Sequence, residues 1–187
     1  MRDALRSLQD EVQAEPDGFI RYKYPERLTH ARRLVAEFLN ANEDEVVLVP
    51  NATTGLNAVL RNMVFQSGDK ILYIEGIYGA IEKTVHYLVE TTPVESICID
   101  FDRVTNDQAK LVQTFRSTLQ AHQGDIKVAI LDAVMSMPGL QMPFEQLISD
   151  CKEYGVLSTV DAAHGIGLID LDLGTLKPDF LVTNCHK

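Results

Sequence analysis

The sequence predicts an α/β fold of three layers, with helices on both faces of a mostly parallel sheet. Short apolar, β-branched runs alternate with longer stretches whose apolar residues recur at three-and-four spacing. The run KVAILDAV at 127–134 is apolar at nearly every position, as in a strand covered on both faces. At 187 residues, 45% hydrophobic and 24% charged, the chain has the means for the core of one ordinary domain or of part of a larger one.

In chain order, Leu28, Ala31, Leu34, Val35, Phe38 and Leu39 mark an amphipathic helix over 26–40, with Glu26, Arg32, Arg33 and Glu37 on its other side. EVVLVP (45–50) then reads as a buried strand ended by Pro50. A helix beginning near Leu56 carries Val59, Leu60, Met63 and Val64 and closes at Ser67-Gly68-Asp69. KILYI (70–74) is a strand, 78–90 a helix and VESICID (94–100) a further strand. Thr105 and Gln108 have the spacing of a capping box for a helix running to about His122, with Leu111, Phe115 and Leu119 inward. After the strand KVAILDAV, a helix carries Phe144, Leu147, Ile148 and Cys151 and stops at Gly155. VLSTVDAAHG (156–165) is a strand entering a loop, and DFLVTNCHK (179–187) is one more strand. No repeat, low-complexity tract or linker interrupts this order.

Composition narrows the function classes. A formal net charge of -10 argues against a nucleic-acid partner, which needs basic surface to displace counterions. No apolar run reaches the roughly 18–20 residues of a membrane span. MRDALRSLQDEV, opening a helix at Met1, has no apolar stretch like that of a signal peptide, so a cytoplasmic location is expected. Cys98, Cys151 and Cys185 cannot pair evenly, and no CxxC or HExxH signature of a metal site occurs.

In parallel sheets ligands bind beyond the carboxyl ends of the strands, so polar residues directly after apolar runs are the candidates. Four clusters qualify. Asn51-Ala52-Thr53-Thr54-Gly55 places small and hydroxyl residues at a helix N-terminus, where free N–H groups suit a phosphate, or where Thr53 or Thr54 simply caps. Gly76-Ile77-Tyr78-Gly79 leaves room for an aromatic ring at the mouth of a site. Asp161-Ala162-Ala163-His164-Gly165 puts a carboxylate after a buried strand, costly unless a cation or hydrogen-bond donors meet it. Thr183-Asn184-Cys185-His186-Lys187 puts a lysine at a strand end, where desolvation would free a nucleophilic amine.

A phosphate cradle, a stacking ring, an anion for a ring nitrogen and an amine are together the parts that pyridoxal phosphate requires. Through NATTGLN, EGIYGA, VDAAHG and TNCHK in that order, the sequence resembles the class V aminotransferase-like, fold-type-I pyridoxal-phosphate enzymes. Within them it looks closest to the branch of isopenicillin N epimerase-like proteins, cysteine desulfhydrases and hercynylcysteine sulfoxide lyases. The resemblance implies pyridoxal 5'-phosphate as cofactor. Lys187 would form the internal aldimine and move the Cα proton, Asp161 would pair with the pyridine nitrogen, and His164 would reach the phenolic oxygen. Tyr78 would stack on the ring; Thr53, Thr54, Asn184 and His186 would hold the phosphate; Ser136 would lie near the cofactor. Cys185 is not expected to carry a persulfide. No metal is expected, and a metal hydrolase built on Asp161, His164 and His186 is the weaker alternative.

The same resemblance implies that residues 1–187 are an incomplete large domain, lacking a short leading segment, the rest of that domain and a C-terminal domain. Weak or no catalysis is then expected of these residues alone. The expected activity is that of a C–S lyase or cysteine desulfhydrase on a small amino acid, in a homodimer. Epimerisation, amino transfer, or a non-catalytic remnant paired with a full-length relative are the alternatives.

Overall fold

The computed structural model describes residues 2–187, so the expected helix start at Met1 lies outside the described residues. The chain divides between Leu48 and Val49 into two compact units.

The first unit is helical. Helix α1 (Arg2–Ala14) is followed by the single turn α2 (Pro16–Gly18), a π-helical turn (Phe19–Lys23) and helix α3 (Tyr24–Leu39). Asn40 ends α3 in the left-handed conformation (φ 51°), its N–H bonding the carbonyls of Ala36 and Glu37, the stop that asparagine tolerates best after glycine. The expected helix is present, but its apolar stripe is not covered: Leu28, Ala31, Leu34 and Phe38 are exposed, while Ala36 and Leu39 are buried. A capping box of Asn42 and Glu45 closes a 3₁₀ turn (Glu43–Glu45).

EVVLVP is not a buried strand. Glu45 belongs to that 3₁₀ turn, residues 46–49 pair with no described strand, and Val47 is 75% exposed. An apolar, β-branched run becomes a strand only where a partner satisfies its backbone groups, and none of the five described strands does so here.

The second unit is a sandwich of helices about a parallel sheet. Helix α4 (Ala52–Arg61), strand β1 (Lys70–Ile74), helix α5 (Gly79–Thr91), strand β2 (Glu95–Ile99) and helix α6 (Gln108–Ala121) follow in order. Strand β3 (Ile126–Asp132), helix α7 (Phe144–Tyr154), strand β4 (Leu157–Ala162), the short helix α8 (Leu173–Leu176) and strand β5 (Phe180–Thr183) complete it. The order in the sheet is β2-β1-β3-β4-β5, every pair parallel. Beyond β1 the chain runs out to β2, then returns past β1 to β3 and continues to β5 in the other direction. The reversal lies between β1 and β3, where such sheets open a crevice at their carboxyl ends.

One core cluster joins Leu56 and Leu60 of α4 with Ile81, Val85 and Leu88 of α5 against Ile71, Tyr73, Val128 and Ile130 of the sheet. The intervening residues Leu72, Ala129 and Leu131 point to the opposite face and are also buried. Phe115 and Leu119 of α6 and Phe144 and Leu147 of α7 are buried with them, so apolar residues run unbroken from Val128 to Leu131 of β3, covered on both faces as the sequence predicts.

Three boundaries move. Helix α4 starts four residues before Leu56, because the Asn51 side chain accepts the Thr54 N–H at 2.8 Å and caps it there. The cap of α6 is Asp107, which takes the Lys110 N–H at 3.0 Å; Thr105 turns back to Asp102 at 3.1 Å, so the expected capping box does not form. The last strand ends at Thr183, and residues 184–187 extend beyond it.

Gly165 closes the turn after β4, its N–H bonding the Ala162 carbonyl at 2.7 Å. A Cβ at Gly165 would lie 2.9 Å from the Ala162 carbonyl oxygen and 2.8 Å from Leu171 Cδ1. The backbone contact cannot yield without moving the turn. Gly165→Ala is therefore expected to cost about 1–3 kcal/mol of stability in urea unfolding.

Candidate functional site

One cavity gathers residues from the carboxyl ends of β1, β3, β4 and β5 and from the N-terminus of α4. Asp161 and His164 reach it from the end of β4, Tyr78 from the start of α5, and His186 and Lys187 from the segment after β5. Thr53, Ser136 and Asn184 line it too. Of the residues singled out in the sequence, Thr54 alone does not line the cavity: its N–H is taken by Asn51 and it is exposed.

Local structure explains each position. Gly76 turns the chain at φ +91°, leaving Tyr78 to precede α5 with its ring half-exposed at the rim. Ser136 sits where β3 folds back on itself. The Met135 N–H bonds the Leu140 carbonyl at 2.8 Å, and the Met142 N–H bonds the Ala133 carbonyl at 3.0 Å. Asp161, 7% exposed, accepts the Ala163 N–H at 2.9 Å. Burial pushes its carboxyl above the usual range, opposed by that amide and by the nearby Lys187 and His164 side chains. Lys187 itself is exposed and lies beyond the last hydrogen-bonded residue of β5.

At the other end lies α4. Its first amide, Ala52 N–H, bonds Asn184 Oδ1 at 3.2 Å, and its third is capped by Asn51. The Thr53 N–H between them has no described partner, and Thr53 lines the cavity; a free amide and a hydroxyl at a helix start suit an anionic oxygen. Asn184 is 7% exposed and also donates from Nδ2 to the Ala163 carbonyl at 3.5 Å. Both of its polar ends meet backbone, tying the start of α4 to the Asp161 turn.

Asp132 was not singled out in the sequence. It is the last residue of β3, 6% exposed, and it lines the cavity beside Asp161, its register partner on β4. Burial and the Asp161 charge push its carboxyl well above the usual range. The signal was present: a carboxylate inside KVAILDAV is as costly there as the one after VLSTV.

The chain is similar along nearly its whole length to known proteins. It is 34% identical to the L-cysteine desulfhydrase-like protein lolT1 of Epichloe uncinata over 98% of this chain and 41% of that protein. It is 28% identical to the hercynylcysteine sulfoxide lyase of Schizosaccharomyces pombe over 96% of this chain and 45% of that protein. The chain therefore spans less than half the length of these curated relatives. The solved complex of the cystine C–S lyase C-DES with its product cysteine persulfide superposes with a TM-score of 0.82 at 21% identity, over 99% of this chain and 49% of that one, and shares its fold. Residues 21–187 match the family model for class-V aminotransferases, and the chain belongs to that family.

Proposed function

We propose that the protein holds pyridoxal 5'-phosphate in this cavity and uses it to cleave the C–S bond of a cysteine-like amino acid. The observation that carries this is the meeting of a buried carboxylate, Asp161, an amine, Lys187, and an unpartnered helix amide, Thr53, around one cavity. These residues fit the group: an anion for a ring nitrogen, a nucleophile for an aldehyde and a donor for a phosphate line the same cavity. When bound, the cofactor supplies an electron sink that stabilises negative charge at an amino acid's Cα.

The chain's own residues do the rest. Asp161 holds a protonated ring nitrogen by charge, its orientation fixed by the Ala163 amide. Thr53 binds the phosphate through its N–H and hydroxyl, assisted by the positive end of α4 and by His186. Asn184 positions the first turn of α4 against the Asp161 loop. Tyr78 would cover the ring, and His164 and Ser136, which line the same cavity, would meet its polar edge. The Lys187 amine anchors the cofactor, takes the Cα proton and returns it later. Cleavage in preference to proton return or amino transfer is supported by the relatives named as cysteine desulfhydrases and a sulfoxide lyase. A cytoplasmic homodimer acting on a small amino acid completes the proposal. Among the described residues no helix is long and apolar enough to cross a membrane.

The test supplies the intact form of the protein, rather than residues 1–187 alone, with pyridoxal 5'-phosphate and L-cysteine. Sulfide, pyruvate and ammonium are expected in equal amounts, the products of cysteine and water. Racemised cysteine with no sulfide would establish the epimerase, a relative of which type is 24% identical to this chain. Conversion of a 2-oxo acid to its amino acid would establish the aminotransferase.

A further inference from the structure

Asp132 has no role in the chemistry above, yet it is the most unusual side chain in the cavity. It ends β3 opposite Asp161, and both strands keep their ladder up to that pair: the Ala133 N–H bonds the Asp161 carbonyl at 2.9 Å. Register partners on parallel strands lie about 4.8 Å apart and point to the same face. Both line the cavity and both are more than nine-tenths buried. Their surroundings differ. Asp161 accepts the Ala163 amide and feels Lys187 and His164. Asp132 has no described hydrogen bond or ion pair, and the one charge acting on it is that of Asp161. The other ionisable groups around the cavity are Tyr78, His164, His186 and Lys187. On the β1 side, Glu75 is engaged by the Phe101 N–H at 3.5 Å and by Arg103 at 4.0 Å.

We propose that Asp132 is a positioning residue for Asp161, a neutral acid that keeps its proton between the two carboxyl groups so that the pair carries one negative charge into the site. Two buried carboxyl groups side by side on neighbouring strands resist double ionisation, and the proton stays on the one without donors or cations. The acid proton then serves the Asp161 oxygen that the Ala163 amide leaves open, holding the carboxylate toward the cavity. One cationic ring nitrogen exactly balanced by one charge would be over-compensated by two. This use rests on the cofactor proposed above, whereas the shared proton does not.

Two measurements decide it. In the cofactor-free protein at neutral pH, the infrared difference spectrum of wild type minus Asp132→Asn is expected to show the C=O stretch of a protonated carboxyl group. No such band, or a band that persists in Asp132→Asn, overturns the assignment. Titration with pyridoxal 5'-phosphate then compares substitutions. Asp132→Asn, neutral and able to donate, is expected to bind within about twofold of wild type, and Asp132→Val about tenfold or more weaker, as for one lost hydrogen bond to a charged group. Equal weakening by Asn and Val overturns the neutral-donor role, and undiminished binding by Val overturns positioning. Absence of binding in the wild type as well would refute the cofactor site, and the infrared band would still decide the protonation of the pair.

Discussion

Replacing Lys187 by alanine is expected to abolish covalent capture of pyridoxal 5'-phosphate. Borohydride treatment of the loaded wild type should add the reduced cofactor's mass to the peptide containing Lys187, and the alanine variant should gain none. Sulfide release should fall by about 10²–10⁴-fold from loss of the proton transfer alone, because no other amine lines the cavity among the described residues. Label appearing on a different lysine in the wild type would move the reacting group elsewhere and remove the basis for placing chemistry at the end of β5. The exposure of Lys187 does not lessen this expectation, since an amine must be approachable to attack an aldehyde.

Asp161→Asn is expected to have the second largest effect, of a different kind. The amide nearly preserves the shape of the carboxyl group and keeps an oxygen for the Ala163 N–H, so cofactor binding should persist. What disappears is the charge that keeps a ring nitrogen protonated. Opposite charges about 3 Å apart interact by about 5 kcal/mol at an effective dielectric near 20, which corresponds to about 10³–10⁴-fold in rate if it is felt only as negative charge develops on the ring. Exchange of the L-cysteine Cα hydrogen with solvent deuterium, followed by NMR, isolates that step from sulfide loss. Exchange at the wild-type rate in the Asn variant would overturn the role given to Asp161.

Most of the scaffold was legible because each element answers to local rules. KILYI, VESICID, KVAILDAV and VLSTV are β-branched runs of strand length, and the helix over Leu111, Phe115 and Leu119 shows its buried stripe directly. EVVLVP obeys the same local rule and fails, because a strand depends on a neighbour that no local pattern reports. The candidate site was legible where a polar residue follows an apolar run, as with Asp161 and Lys187. Asp132 escaped because the apolar residues around it read as one uninterrupted strand, and only the β3–β4 register sets it beside a second carboxyl group. Asn184 was noticed in the sequence for its place beside Lys187, not for its tie to α4. Its contact with Ala52 joins residues 132 positions apart, and nothing near either end signals it.

That same bond has a kinetic meaning. An amide side chain that fastens residue 184 to residue 52 closes a loop spanning 132 positions, and the entropy of that closure favours its forming after the intervening strands have docked. During synthesis the first turn of α4 emerges early and waits, its Ala52 amide without its mate, until β5 has left the ribosome. The anion-receiving end of the cavity is therefore finished only once Asn184 has been made and β5 has docked, and capture of a phosphate by a shorter nascent chain is disfavoured.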